Sequence, residues 1–427
     1  MDPLAALPPE LALKVLKYLP FRNVALAQTV NKSWLNFIRS EKSLWRHLNL
    51  FRPKCRVPTS FVDTAINVAG SSITIVTLYG DRMQDHDVAF QKLAHNCPLE
   101  KVTLMQTGVV KEDRQLVLTL RDLKHLRELR LGAENSLPIT LCSFMLEPHV
   151  NNLEVLDLDG YAIRHDNCVS ASVWPRVRAL RIAARGQQGS GAGGIVGGLH
   201  LRFPVLETLE VSNIDRRRFP SERWPWDFTQ CSHLRWLSLN LRELKLKALV
   251  IPPWITTLRL ESENSEALHS SSPDDPFRVY LPQLEHLDLC LPGMTIKDVD
   301  KFLDAPSGSD STAPSGLSNL TYLAINKWDF GEPGIENGAS FTHLRLQRLR
   351  GLKLQFATGL EEARVRLIVE QLKYLQKLDV CQSDVTDNGV WYAVRNSGVT
   401  TMHLRGCQGV TETVVEWVRR KGIKVVR

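Results

Sequence analysis

The spacing with the most chemical meaning in this sequence is a glycine run. Gly189-Ser190-Gly191-Ala192-Gly193-Gly194 satisfies G-x-G-x-x-G, follows an apolar segment ending at Ile182, and has Glu210 roughly twenty residues on. In a dinucleotide fold those glycines let backbone N–H groups approach a pyrophosphate, and an acid at that distance takes the ribose hydroxyl. Here the flanking apolar segments belong to a longer repeat series, and so many glycines also suit a flexible loop. The run is therefore read as an insertion over 186–198. The 12 histidines and 8 cysteines are scattered, with no C-x-x-C, G-x-S-x-G or H-E-x-x-H. Spacing leaves open a triad assembled in space, but nothing proposes one. The expectation is a chain that is not an enzyme and uses no cofactor and no metal.

What remains is binding chemistry, and it is aromatic. Trp224, Trp226 and Phe228 precede Trp236, and Tyr322, Tyr79 and Trp328 fall at or near apolar segments. Trp and Tyr anchor interfaces because each buries much area with few rotamers to fix. Trp236 and Tyr322, with Arg181 and Arg259, occupy positions expected to point outward and are the candidate contacts for a protein partner. The competing reading is packing between neighbouring strands, and it is stronger for Trp224 and Trp226.

These residues are positioned by a recurring L-x-x-L-x-L strand pattern. It reads Leu126/Leu129/Leu131, Leu153/Leu156/Leu158 and Leu284/Leu287/Leu289, with looser copies from Ile73/Val76/Leu78 to Val399/Met402/Leu404 and a partial one at Ile423. Consecutive starts lie roughly 21 to 36 residues apart, the leucine-rich-repeat period. Side chains alternate along a strand, so the second and third apolar residues share a face. One short strand cannot bury that face alone. Stacked copies bury it, which predicts an α/β fold: a curved parallel sheet, about 13–14 repeats long over 73–427, with helices and irregular returns outside it.

Composition agrees. Of 427 residues 43% are hydrophobic, enough for a core, and although length alone suggests about three domains, a solenoid grows as one body. With no apolar run long enough to span a bilayer and no leader pattern, the chain is expected to be intracellular, in cytoplasm or nucleus, with no membrane partner. That makes the acceptor patterns at Asn31 and Asn319 irrelevant to glycosylation. The net charge of +7 raises nucleic acid as a partner. Yet the expected sheet face carries seven basic residues (Lys101, Arg130, Arg181, Arg259, Lys353, Lys377, Arg405) and seven acidic ones (Glu128, Asp157, Asp159, Glu210, Glu261, Asp288, Asp379). A neutral face does not track phosphates, so no nucleic acid is expected. The excess charge lies in the N-terminal segment and in Arg419, Arg420, Lys421, Lys424 and Arg427.

Residues 1–50 do not repeat. Leu7-Pro8-Pro9-Glu10-Leu11 reads as a helix start, with Leu11, Val15, Leu16 and Leu19 at helical spacing and Pro20 as the stop. Asn23 is the expected cap of a second helix carrying Val24, Leu26, Ala27 and Val30. Trp34, Leu35, Phe37 and Ile38 make a third, and Ser43 is expected to cap a segment with Leu44, Trp45 and Leu48. So small a unit buries too little surface to stand alone. Periodicity alone leaves open whether it docks on a partner or only caps the repeats. Residues 51–72 read as a linker with a short helix near Thr64–Val68.

Leu7-Pro8-Pro9-Glu10-Leu11, Tyr18-Leu19-Pro20, Val30 with Trp34, and Leu44-Trp45 together resemble the F-box over about forty residues. An F-box followed by leucine-rich repeats is similar to the substrate-receptor subunits of SCF-type cullin–RING ubiquitin ligases. The resemblance implies that a Skp-type adaptor is bound by Leu7, Pro8, Pro9, Leu11, Val15, Leu16, Leu19 and Leu26, with Trp34 and Trp45 packing the helices. Cullin and RING subunits would be reached through the adaptor, and the repeats would hold a protein substrate for ubiquitination and proteasomal degradation. Asn31 departs from the family, which often has cysteine there.

The returns Val88/Phe90/Leu93, Leu116/Leu120/Leu123 and Val365/Ile368/Leu372/Leu375 are expected to be helical. Val380-Cys381 with Val385-Thr386-Asp387, and Leu404 to Cys407 with Val410-Thr411-Glu412, resemble the cysteine-containing repeat of F-box receptors, the cysteines being buried small apolar groups. A second insertion, 304–318, is rich in Ser, Pro, Gly and Asp and is expected to be disordered. The alternative to a ligase receptor is a leucine-rich-repeat scaffold with no ubiquitin role.

Overall fold

The computed structural model describes residues 6–19, 21–50, 57–79, 85–105, 119–120, 123–139, 152–163, 173–183, 199–214, 226–241, 249–262, 281–291, 317–327, 346 and 348–427. The glycine insertion, residues 304–316, Pro20, Leu116, Trp224 and Trp328 lie outside the described residues. Two compact units make up the chain, Met1–Leu206 and Glu207–Arg427.

The first unit opens with α1 (Pro9–Tyr18), α2 (Phe21–Ala27) and α3 (Lys32–Ser40). Pro8 and Pro9 start α1, where a missing N–H costs nothing, and Glu10 complements the helix dipole. Ala12 and Leu16, one turn apart, turn inward. α2 begins at Phe21, so Asn23 lies inside the helix and does not cap it. The cap that forms is on α3, where Asn31 Oδ1 accepts the Trp34 N–H at 2.9 Å. The apparent departure from the F-box pattern therefore fills a position that favours Asn over cysteine. Ser43 lies within a 3-10 turn, Lys42–Leu44, and makes no cap bond. Leu48, expected in the same segment, is instead in a strand.

That strand, β1 (His47–Asn49), pairs in parallel with β2 (Ile75–Tyr79), Leu48 opposite Val76. Counting back in this register, Trp45 takes the place of the first leucine, so Trp45/Leu48/Leu50 is a repeat copy, and all three residues are buried. The stretch read as a linker holds a return helix, α4 (Thr59–Ala69), longer than the turn expected at Thr64–Val68, with Val62, Ala65 and Ala69 facing in. After β2 follow α5 (His86–Asn96), β3 (Lys101–Met105), β4 (Glu128–Ile139), β5 (Val155–Ile163), β6 (Ala179–Ala183) and α6 (Leu199–Arg202). Strands β1 to β6 pair in chain order, all parallel. The register sets Val76, Val102, Leu129, Leu156 and Leu180 in one buried row, and Leu78, Leu104, Leu131, Leu158 and Ile182 in the next.

The second unit contains β7 (Thr208–Ile214), β8 (Trp226–Asp227), β9 (Trp236–Leu241), β10 (Leu249–Val250), β11 (Thr257–Ser262), β12 (His286–Cys290), β13 (Tyr322–Ile325), β14 (Gly351–Lys353), α7 (Glu362–Gln371), β15 (Lys377–Asp379), α8 (Asp387–Asn396), β16 (Thr401–His403), α9 (Glu412–Arg420) and β17 (Lys424–Val426). Strands β7, β9 and β11 to β17 form one parallel order, while β8 and β10 make a separate pair. Leu209, Leu237, Leu258, Leu287, Leu323, Leu352, Leu378 and Met402 stack in register and are buried. Each such side chain removes apolar area worth about 1.5–3 kcal/mol. Cys381 and Cys407 are buried, and burial pushes the Cys381 thiol up to about 11. Cys407 Sγ donates to the Val380 carbonyl at 2.9 Å, the role of a packed small residue.

Among the described residues no helix is long and apolar enough to cross a membrane. Replacing Asn31 by Ala or Cys removes the α3 cap and is expected to lower unfolding stability by about 1 kcal/mol, with Asn31→Ser close to neutral; denaturant titration of the three variants measures it. Equal stability of Asn31→Cys and the parent would remove the cap's energetic role.

Candidate functional site

Two surfaces collect the expected site residues. On α1, Leu11, Val15 and Tyr18 follow one another at i, i+4 and i+7 and are 46%, 54% and 90% exposed. Leu7, Leu19, Leu26 and Val30 are exposed too, as are Pro8 and Pro9. Beneath them Ala12 and Leu16 hold α1 onto its own domain, packed towards the 3-10 turn. Leu16 is 2% exposed, so it does not belong with the contact residues: its place on the helix points it into the domain. Trp45 is buried as expected, its Nε1 donating to the Ile38 carbonyl at 2.9 Å, while Trp34 is half-buried. The result is an uninterrupted apolar stripe on a helix whose other side is already satisfied.

The second surface is the outward side of the strands in Glu207–Arg427. The residue just before the second leucine of each copy forms a row: Trp236 beside Thr257, then His286, Tyr322 and Gly351. Trp236 and Tyr322 therefore share a row with two strands between them, about 14 Å apart at the usual strand spacing. The His286 and Tyr322 rings lie 5.9 Å apart, tilted by 33°. Gly351 makes room for that ring, since a Cβ there would come within 2.6 Å of Tyr322 Cδ2. Burial, then Asp288 and Asp379, pushes the Tyr322 phenol up to about 12, so at neutral pH it is a hydrogen-bond donor and not a base.

The next outward row runs Arg259, Asp288, Ala324, Lys353, Asp379 and His403. Arg259 lies 3.2 Å from Glu261 and 3.8 Å from Asp288. Burial raises the Asp288 pKa against the pull of Arg259 and Lys353, and Asn326 Nδ2 donates to its Oδ1 at 3.2 Å. Asp379 is 6% exposed, accepts from Gln355 Nε2 at 3.0 Å and from the Cys381 N–H at 3.2 Å, and has His403 Nδ1 3.8 Å away. Opposite charges thus sit as neighbours along the row. Arg181 belongs to the first unit, on β6, where Nη1 is 3.6 Å from Asp157. Tyr79 is at the end of β2, and Trp226 and Phe228 belong to a return, Phe228 fully buried.

Reading for aromatic anchors missed His286, Thr257 and Gly351. The signal was available: once the repeat is aligned, these three occupy the same offset as Trp236 and Tyr322. Nothing in either row combines a nucleophile with a base, and among the described residues no three His, Cys, Asp or Glu side chains group as metal ligands. What the rows offer is a strip of neighbouring rings and paired charges.

Comparison with known proteins gives residues 4–50 as F-box-like. No curated protein matches the sequence. Solved structures that align include a leucine-rich-repeat protein of Leptospira interrogans, 13% identical, covering 87% of this chain and 100% of its own, TM-score 0.34. The complex of Rad7 and Elc1 in yeast gives 13% identity, 98% and 93% coverage and a TM-score of 0.42. The TLR13–ssRNA13 complex gives 14% identity, 87% and 56% coverage and a TM-score of 0.38. At these scores nothing is inferred from the three.

Gly351→Ala is expected to destabilise by about 1–3 kcal/mol through overpacking against Tyr322. The loss should shrink when Tyr322→Ala is present, so a double-mutant cycle by chemical unfolding should show coupling. Additive losses would mean that ring and glycine are independent.

In the first unit, Glu128 bonds Lys101 at 2.9 Å and Arg130 at 2.6 Å. Burial opposes its charge, but the Lys101 hydrogen bond and both cations carry its pKa below the usual carboxylate value. A lowered folded-state pKa contributes stability above the unfolded value that is lost as pH falls through the folded one. Glu128→Gln should therefore flatten the acid limb of the stability–pH curve, read as thermal midpoint against pH; an unchanged limb would exclude this contribution.

Proposed function

We propose that this chain is the substrate-recognition subunit of an SCF-type ubiquitin ligase. The F-box-like segment binds a Skp-type adaptor, through which cullin and RING subunits are reached, and the repeat sheet holds a protein substrate. The observation that carries the reading is the stripe on α1. Leu7, Leu11, Val15, Tyr18 and Leu19 are exposed in a segment that matches the F-box-like family, while the same helix keeps Ala12 and Leu16 for its own packing. Exposed apolar patches of this kind mark interaction surfaces. Pro8 and Pro9 stiffen the edge next to them, which lowers the entropy lost on docking.

On this reading the chain performs no bond chemistry. It raises the effective concentration of substrate lysines near a ubiquitin-loaded partner. Trp236, Tyr322, Arg259 and Arg181 remain the proposed substrate contacts, with His286 added by its place beside Tyr322. The chain acts inside the cell, where the adaptor and cullin are found.

Co-expression with a Skp-type adaptor provides the test. Leu7→Ala/Pro8→Ala and Leu11→Asp/Val15→Asp alter exposed groups, so thermal midpoints should hold while adaptor capture falls more than about thirtyfold. Leu16→Ala should instead lower stability by about 2–5 kcal/mol. Undiminished capture by both double variants would remove the adaptor reading and leave a repeat scaffold. With the proteasome blocked, a chain whose α1 stripe is charged should keep its substrates and lose cullin.

A further inference from the structure

The outer helical side of the last repeats carries a second, unlike surface. Trp391 on α8 and Trp417 on α9 stack with ring centroids 5.2 Å apart and planes 24° apart. Arg395 lies over both, 5.0 Å from the Trp391 centroid and 5.9 Å from that of Trp417, and Lys421 stands 5.9 Å from Trp417. On the neighbouring α7, Arg366 covers the Tyr392 ring at 4.7 Å, and the Tyr392 hydroxyl donates to Glu370 at 2.5 Å. Tyr374, just past α7, is 67% exposed and Trp391 38%. None of these rings is among the buried core residues, which from the same helices include Val365, Ile368, Val390, Ala393, Val414 and Val418.

Charge around the stack is one-sided. Arg395 is in the last turn of α8 and Arg420 in that of α9, Lys421 caps α9 and Lys373 follows the end of α7, against Glu370 and Glu416. Glu416 is taken by Arg420 at 3.6 Å and Glu370 by Tyr392. Among the described residues no carboxylate pairs with Lys373, Arg395 or Lys421. Basic residues in last turns also complement the helix dipole. That accounts for the cations, but not for two indoles among them on a solvent side. Tryptophan and arginine together are the side chains enriched where proteins meet.

We propose that Trp391, Trp417, Arg395 and Lys421 form a docking site for an acidic peptide segment of a partner protein, separate from the sheet face and from α1. A guanidinium lying on a ring keeps its in-plane N–H donors for carboxylates. The partner's acids meet Arg395, Lys421 and Lys373, and its apolar side chains lie along the exposed edge of Trp391 and against Tyr374. The stack takes one face of each indole and Arg395 and Lys421 lie over the rings, which leaves little open ring face for a nucleic-acid base. That favours a peptide over a single-stranded nucleic acid.

The test uses the intact chain and a short fluorescein-labelled peptide of alternating Glu and Phe, read by anisotropy. The Lys–Phe peptide and an oligo-dT strand serve as comparison probes. The Glu–Phe peptide should bind saturably and weaken with salt, and the Lys–Phe peptide should not bind. Arg395→Glu and Lys421→Glu, both at exposed positions, should leave the thermal midpoint in place and weaken binding at least about tenfold each. Trp391→Leu should weaken binding with the charge unchanged. No saturable binding of the Glu–Phe peptide would overturn the proposal. Affinity untouched by Arg395→Glu, or oligo-dT binding as tightly as the peptide, would do the same.

Discussion

The whole molecule rests on one constraint: a short strand with two inward apolar side chains cannot bury them by itself. Parallel pairing in identical register solves this, because each leucine then meets the equivalent leucine of the next copy. Leu237, Leu258, Leu287, Leu323 and Leu352 form such a row without a slip. A shift of one residue would turn the entire set to solvent. The register is thus fixed by burial, and fixed register places the outward residues at set intervals. Trp236, His286 and Tyr322 come into one row as a by-product of how their neighbours hide.

The same constraint explains how a short helical segment is joined to the repeats. Trp45 fills the first apolar position of the first strand copy while its indole N–H holds the end of α3. Three helices of this size have little core of their own. Sharing Trp45, Leu48 and Leu50 with the sheet lets the segment fold without using the apolar side of α1. That economy is what leaves Leu11, Val15 and Tyr18 available to another molecule.

Much of this was legible in the sequence because the repeat pattern is long, and a long pattern averages out local accidents. The F-box-like segment was legible from a few residues at fixed spacing. What escaped notice were places where one residue serves two neighbourhoods. Trp45 stands where the pattern has a leucine, so the sequence alone shows no repeat copy there and α4 reads as linker. Asn23 and Ser43 are good caps in the abstract, but α2 starts at Phe21 and the chain after Lys42 turns too tightly for a cap bond. Asn31 stands out in the sequence as an exception to a family pattern, and its role as a cap depends on where α3 starts. Leu16 had the right spacing for a contact residue, yet helix spacing does not say which of two apolar stripes faces in; only packing decides between Leu11 and Leu16.

A repeat of this kind also separates stability from recognition. In each copy the leucines of the strand and the inward residues of the return are committed to the core. The outward residues of the strand and those of the return are mostly outside that core, with exceptions such as Gly351 under the Tyr322 ring and the buried Asp379, and they look in different directions. In the last repeats, Leu378, Met402, Ile368 and Val415 are buried, while Lys377 and Thr401 on one side and Trp391 and Trp417 on the other lie outside that core. Selection for one surface therefore places little demand on the other. Two surfaces of one repeat can therefore carry different chemistry without either being built around the other.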